Sequence, residues 1–330
     1  MTDRVPARIT DVLTPAELRE LTQASDLQGW LSVLTTWGMI AGSFALVAWQ
    51  TTWWTIAIAL VILGGRHLAL AILMHECSHY SLFRTKRLND IVGRWLAAAP
   101  TWQDVYRYRT HHIQHHAHTG TEKDVDLGLV EPFPTNWSSL LRKFARDLSG
   151  VSGLKRALGL LLMDFGFLTY SASTTAKPIP QKGRPFRDII LTGARNLYPV
   201  VLTNGALYAT LAWTGHGWLY SLWVISWLTT FSLFVRIRSM AEHACTEQTA
   251  NQFLNTRTTY ASPLARVTVA PHHVNYHLEH HVAMTVPHYK LKRLHRMLRE
   301  RGVYDHSPSA PNYIEILRLV GSGKAAAAAA

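Results

Sequence analysis

Apolar residues in this chain come in unbroken runs. From Trp30 to Trp49 there are twenty residues without a charge, and as a helix rising 1.5 Å per residue they would cover the roughly 30 Å hydrocarbon core of a bilayer. After the polar link Gln50, Thr51, Thr52, a second run opens on Trp53 and Trp54 and continues to Met74, broken only by Arg66 and His67. A third run from Leu197 to Trp213 and a fourth from Trp218 to Val235, separated by Thr214 to Gly217, repeat the arrangement. The pattern predicts four transmembrane helices arranged as two hairpins. The stretch from Ala157 to Tyr170 is also apolar, but it spans only 14 residues and carries Asp164. An interfacial or re-entrant helix is expected there, not a fifth span. Ahead of the first span, Thr14, Pro15 and Glu17 read as the N-cap, first-turn proline and capping-box acid of a short helix.

Composition changes this picture little, and charge orients it. The chain is 48% hydrophobic and 16% charged, as a polytopic membrane protein should be. Its net charge of +12 would suit a nucleic-acid binder, but the cations follow the spans. Residues 80–196 hold 17 Lys and Arg, residues 236–330 hold 12 and the first 29 residues hold 3, while the only other one is Arg66 and the hairpin links hold none. By the positive-inside rule both termini and the central loop face the cytosol, and a bacterial inner membrane is the expected location. Nucleic acid is not an expected partner. The expected organisation is a cytosolic N-terminal helix (1–29), a transmembrane hairpin ending in a histidine motif (30–79), a cytosolic cap segment with an interfacial helix (80–196), a second hairpin (197–240), a C-terminal cap segment (241–320) and an appended Gly/Ser/Ala linker (321–330). No cleavable signal peptide is visible. The two cysteines, Cys77 and Cys245, are too few for a disulfide framework or a four-cysteine cluster.

Eighteen histidines supply the chemistry instead, most of them in three clusters. The first is His75-Glu76-Cys77-Ser78-His79. Histidines at i and i+4 are about 40° apart around a helix, so both rings can reach one ion. The string also satisfies the HExxH pattern of zinc proteases, in which the glutamate is the general base. The second cluster puts five histidines into eight positions, His111, His112, His115, His116 and His118. Read as His112, His115 and His116 it is an HxxHH box with three rings over one helical face; a register through His111 and His115 stays open. The third, His277, His280 and His281, repeats HxxHH about 165 residues later. His272 and His273 lie just upstream and are weaker ligand candidates. His243 follows the fourth run at the membrane level of the boxes and is a better one.

Nine nitrogen ligands are too many for one ion. Two five- or six-coordinate ions with open positions would use them, whereas four would fill a zinc site. Spacing leaves iron, zinc and copper open. Glu76, Asp104, Glu122, Asp124, Asp126, Glu242 and Glu279 lie near the boxes and could accept the outward N–H of a ligating ring.

With these motifs the chain resembles the membrane fatty acid desaturase and hydroxylase family. The resemblance runs from about His75 to His295 and rests on the HECSH box, on Arg109 to Asp126 with its HxxHH, on Arg236 to His243, and on Asn275-Tyr276-His277-Leu-Glu-His-His followed by Val286-Pro287. It implies an all-α integral membrane fold with four spans beneath a cytosolic helical cap, and a non-haem di-iron centre that uses O2 to attack an unactivated C–H bond of an acyl chain. It further implies that His75, His79, His112, His115, His116, His243, His277, His280 and His281 bind the two iron ions, for which zinc can substitute. His111 and His273 are secondary ligand candidates, and Glu76, Asp104, Asp124, Ser239, Glu242, Asn275 and Glu279 are expected around the ligands. Two departures stand out. Val282, Ala283 and Met284 replace the Leu-Phe-Pro that many members carry after the last box, and Ser239 replaces an asparagine that acyl-CoA members carry four residues before the stray histidine.

An acyl desaturase is the leading expectation. A hydroxylase, or an oxidative decarboxylase forming a terminal alkene, would use the same ligands. Histidine survives a strong oxidant where thiolate does not. The sequence shows no flavin or nicotinamide fingerprint and no fused haem module, so electrons are expected from a separate donor such as ferredoxin with its reductase. Acyl length and carrier, the carbon attacked and the oligomeric state are not written in the sequence. A membrane zinc protease built on His75, Glu76 and His79 would leave seven clustered histidines idle. A metal transporter would want its polar residues inside the spans, where here they stand at span ends.

Overall fold

The computed structural model describes residues 5–323, and it is mainly helical. The capping box at Thr14 forms as the sequence predicts: Thr14 Oγ1 accepts from the Glu17 N–H, and Glu17 accepts from the Thr14 N–H, starting α1 (Pro15–Thr22). Then come α2 (Asp26–Trp49) and α3 (Trp53–Ser78). The first span thus begins four residues before Trp30, because Ser25 caps the Gln28 N–H and Asp26 suits the positive end of the helix.

Helix α3 is the axis of the molecule. Gly64 and Gly65 carry no side chain where Thr230 and the Val267 carbonyl press against it, so the neighbouring segments approach closely. The charge and ring that interrupt its apolar run each find a carbonyl partner inside the protein. Arg66 donates to the Val267 carbonyl at 2.8 Å, and His67 Nε2 donates to the Trp223 carbonyl at 3.0 Å. Burial without water demands such partners.

The segment after α3 holds α4 (Lys86–Val92) and α5 (Val105–His118), then α6 (Trp137–Leu148) and α7 (Val151–Asp164). Helix α7 takes up the segment expected to lie at the interface. Its Asp164 is buried and accepts from Arg107 and from the Trp102 indole.

Helix α8 (Phe186–Trp213) starts eleven residues before the third apolar run, because the polar stretch before Leu197 is compatible with helix although not with lipid. The fourth run is bent at Thr229 (φ −109°, ψ −88°) into α9 (Tyr220–Leu228) and α10 (Thr230–His243). α10 runs to His243, so the boundary expected at residue 240 falls inside a helix. Among the described residues, three helical stretches are long and apolar enough to cross a membrane: Asp26–Trp49, Trp53–Ser78 and Gly217–His243. Helix α8 misses that standard because Asn196, Tyr198, Asn204 and Tyr208 dilute it.

The C-terminal part holds α11 (Gln252–Asn255), α12 (Pro263–Val267), α13 (His277–Val282), α14 (His288–Glu300) and α15 (Tyr313–Val320). A two-residue parallel ladder joins Thr258–Thr259 to Ser309–Ala310. Leu13, Leu21, Phe253, Leu278, Leu291, Leu294 and Leu298 form a core that ties α1, α13 and α14 together and takes no residue from the apolar spans. The head of the expected linker is packed, with Gly321 buried and the Gly323 N–H donating to the Thr135 carbonyl. Residues 324–330 of that segment lie outside the described residues.

Candidate dinuclear metal centre

The nine histidines converge from four helix ends. His75 and His79 close α3, and His243 is the last residue of α10. Arg109 on α5 clamps the end of α3 by donating to the carbonyls of Ser78 at 3.0 Å and Cys77 at 3.1 Å while pairing with Asp90. This fixes the first box against the second.

The rings sort into two groups: His75, His79, His112, His116 and His280, and then His115, His243, His277 and His281. Within each group, one ligand atom per residue lies within 4.8 Å of all the others. The two HxxHH boxes are therefore each split. On α5, His112 and His116 face the first group and His115 the second; on α13, His280 faces the first while His277 and His281 face the second. The groups abut, with the His116 and His281 rings 4.3 Å apart. The expectation of three box rings over a single face is corrected: a helix lying between two sites gives each a different edge.

The donor set fits metal. Two nitrogens bound side by side to one ion at about 2.1 Å, near a right angle, lie about 3.0 Å apart. Nε2 of His116 is 3.0 Å from Nε2 of both His112 and His280, and Nε2 of His277 is 2.8 Å from that of His243. Both ring nitrogens of His75, Nε2 of His79 and Nε2 of His281 are buried with no hydrogen-bond partner. Such orphans are costly unless something binds them. Burial, then the neighbouring imidazoles, pushes His112, His116, His277, His280 and His281 well below the ordinary histidine range, and His79 falls to about 4. The rings are thus neutral, the form that ligates. His115 is the exception. Burial pulls it down, but the hydrogen bond to Asp124 and the charges of Asp126, Asp124 and Glu242 together outweigh it and the net shift is upward.

Around the rings, Asp124 accepts from His115 Nδ1 at 2.8 Å, and Glu242 lies 3.4 Å from His277 Nδ1 while held by Arg238 at 2.6 Å. Glu76 Oε1 is 3.4 Å from His75 Nδ1, and its other oxygen accepts from Ser81 Oγ and the His288 N–H. The remaining expected neighbours go elsewhere. Asp104 caps α5 through the N–H groups of Tyr106 and Arg107. Glu279 binds His295, Thr258 and Tyr304, because it points away from the ligand edge of α13. Asn275 donates to the Thr259 carbonyl, and Ser239 is half-buried outside both groups. The weaker ligand candidates also stand apart. His111 Nε2 meets Asp126 at 2.8 Å, and His273 stacks on Tyr276. Asp126 is 3.8 Å from His115, whereas Glu122 is exposed.

Sequence reasoning missed Asn255, whose carbonyl accepts from His243 Nδ1 at 3.2 Å and whose amide spans the carbonyls of Thr119 and Thr249. It ends the one-turn helix α11, which is too short for any periodicity to mark. It also missed Tyr108, stacked on His112 at 5.0 Å; its place four residues earlier on α5 was the available signal.

An apolar cavity of about 720 Å³ lies between α2 and α8, lined among others by Trp37, Phe44, Leu96, Leu207 and Leu211. Trp37 and Leu96 also pack with Met74, Cys77 and Tyr108, the layer beside the first histidine group.

Two bilayer-length helical stretches ending at His75/His79 and His243, together with the short helices α5 and α13, bring nine imidazoles into two adjoining pockets, which defines a membrane protein of the histidine-box type. The fatty acid desaturase profile matches residues 51–309, a stretch containing both groups, and the chain belongs to that family. It is similar to the sn-1 oleoyl-lipid 12-desaturase of Synechocystis sp., 23% identical over 292 residues covering 86% of this chain and 79% of that one. A dihydrorhizobitoxine desaturase of Bradyrhizobium elkanii is 26% identical over 268 residues, 78% of this chain and 73% of its own. An sn-1 acyl-lipid omega-3 desaturase (ferredoxin) of Synechocystis sp. is 35% identical over 83 residues, 25% and 23% of the two chains. The protein is thus an enzyme, a membrane-bound oxidoreductase of the desaturase kind.

Proposed function

We propose that the chain is an O2-dependent non-haem di-iron desaturase acting on a fatty acyl chain drawn from the bilayer. The division of nine histidines into groups of five and four carries this reading. When bound, two iron ions would supply the one-electron redox changes that O2 activation needs and zinc cannot provide. The net reaction is balanced as –CH2–CH2– + O2 + 2e⁻ + 2H⁺ → –CH=CH– + 2H2O.

The protein's own part is to hold and to exclude. The buried rings other than His115 are held in their neutral form, Asp124 and the Asn255 carbonyl orient His115 and His243, and Glu242 lies beside His277. Tyr108 walls the first group on one side. The cavity between α2 and α8 supports an apolar substrate, since the hydroxyls of Thr203, Thr210 and Thr214 on its wall already donate within their own segments and leave little for water. Helix α8 serves as the fourth span in this reading, with both termini and the histidine centre cytosolic. Ferredoxin is proposed as the electron donor, in keeping with the printed name of one relative. Hydroxylation or oxidative decarboxylation would begin with the same C–H attack.

A zinc protease is disfavoured by Glu76, which is 2% exposed and has one oxygen committed to Ser81 and His288. A general base needs access to bound water. The test is product analysis on purified protein loaded with iron or with zinc, given free, CoA-bound and lipid-bound acyl chains. An alkene from the iron form alone supports the reading, and metal-dependent peptide cleavage would overturn it.

A further inference from the structure

Helix α14 carries two sets of cations. Arg293 and Arg301 pair with Glu20 and Glu17 of α1 at 2.6 and 2.5 Å. Lys292, Arg296 and Arg299 do not. Spaced i, i+4, i+7, they form one exposed stripe that makes no ion pair among the described residues, and Arg266 on α12 is exposed and unpaired in the same way. Beside the stripe lies Tyr260, 38% exposed, whose hydroxyl bonds to His295 of the same helix.

Beneath the stripe runs a bonded route to the metal centre. The Tyr260 hydroxyl meets His295 Nε2 at 3.2 Å, and His295 Nδ1 meets Glu279 at 2.5 Å. Glu279 adjoins His280 on α13. The core under α14 contains no residue of the apolar spans, so its stripe belongs to the cap, whereas α12 packs through Ala265 against Leu68, Ile72, Trp227 and Phe231 of the spanning helices.

We propose that Lys292, Arg296 and Arg299 of α14, with Tyr260 beside them, form the docking surface for an acidic one-electron carrier of the iron–sulfur type. This rests on the desaturase reading, which needs two electrons per turnover from outside the chain. The carrier's cluster is oxidised by one electron at each of two dockings, and O2 is the final acceptor in the balanced reaction above. Cations without an ion-pair partner attract and orient an acidic partner, and a small surface suits a transient redox contact.

The test compares wild type with the Lys292→Glu/Arg296→Glu double variant, both loaded with iron in zwitterionic nanodiscs and titrated with a plant-type [2Fe–2S] ferredoxin. The Kd and the KM for ferredoxin should rise by about tenfold or more and their salt dependence should flatten, while turnover driven by dithionite with a viologen mediator stays within about twofold. Arg293→Glu, whose partner is Glu20, should shift the Kd less. An unchanged Kd and salt slope would overturn the proposal. So would a variant that lost only its binding to anionic vesicles, because the stripe would then belong to lipid headgroups. Wild type that makes no alkene even with the chemical reductant would sink the desaturase reading instead, and the Kd comparison would still decide the docking surface.

Discussion

The two halves of the histidine centre are built differently. The first gathers five rings, and its nearest carboxylate, Glu76, spends one oxygen on Ser81 and the His288 N–H and only approaches His75 with the other. The second gathers four rings and gives two of them hydrogen-bonded acceptors, Asp124 on His115 and the Asn255 carbonyl on His243, while Glu242 approaches His277 only as closely as Glu76 approaches His75. One half relies on ligand number and the other on ligand orientation. Fewer ligands need firmer support, because a ring whose tautomer is free to switch presents a nitrogen only part of the time.

The largest expected effect is on the ligands themselves. His280→Ala should abolish product and bring the metal content of the purified protein from about two ions per chain toward one, and His277→Ala should do the same from the other side. Either variant with full activity would break the division into two groups. Next comes Asp124→Asn, which should cost on the order of 10- to 100-fold in metal affinity or activity and should loosen one ion of the two. Equal loosening of both would remove the contrast between the halves. Glu76→Gln should cost less, because an amide oxygen can still accept from Ser81 and the His288 N–H. O2 uptake coupled to product should persist with iron content unchanged, and complete loss of turnover with iron retained would give Glu76 a proton-transfer role. The smallest effect belongs to His118→Ala. That ring lies outside both groups, so activity should stay near wild type.

The convergence of the box histidines was legible in the sequence because HxxHH is a geometric statement. Rings at i, i+3 and i+4 must share one side of a helix, and the box repeats. The partition was not legible, since spacing does not tell where the neighbouring helix ends fall along that side. Glu279 shows an error that spacing could have prevented: at 100° per residue it lies about 160° or more from His277 and His281 around α13, and it faces His295 instead. Asp104 misled because nearness in sequence is not direction, and it is consumed in capping α5. Helix α8 was legible only in its apolar half. The stretch from Phe186 to Asn196 is polar but contains neither proline nor a breaking glycine pair, so helix continues where hydropathy stops. Asn255 reaches His243 by loop closure, which no local pattern encodes.

The most direct measurement is anomalous scattering at the iron edge from crystals of protein shown to form product. Two iron peaks should appear, one among His75, His79, His112, His116 and His280 and the other among His115, His243, His277 and His281. A single peak, or iron outside these groups in active protein, would contradict the dinuclear centre.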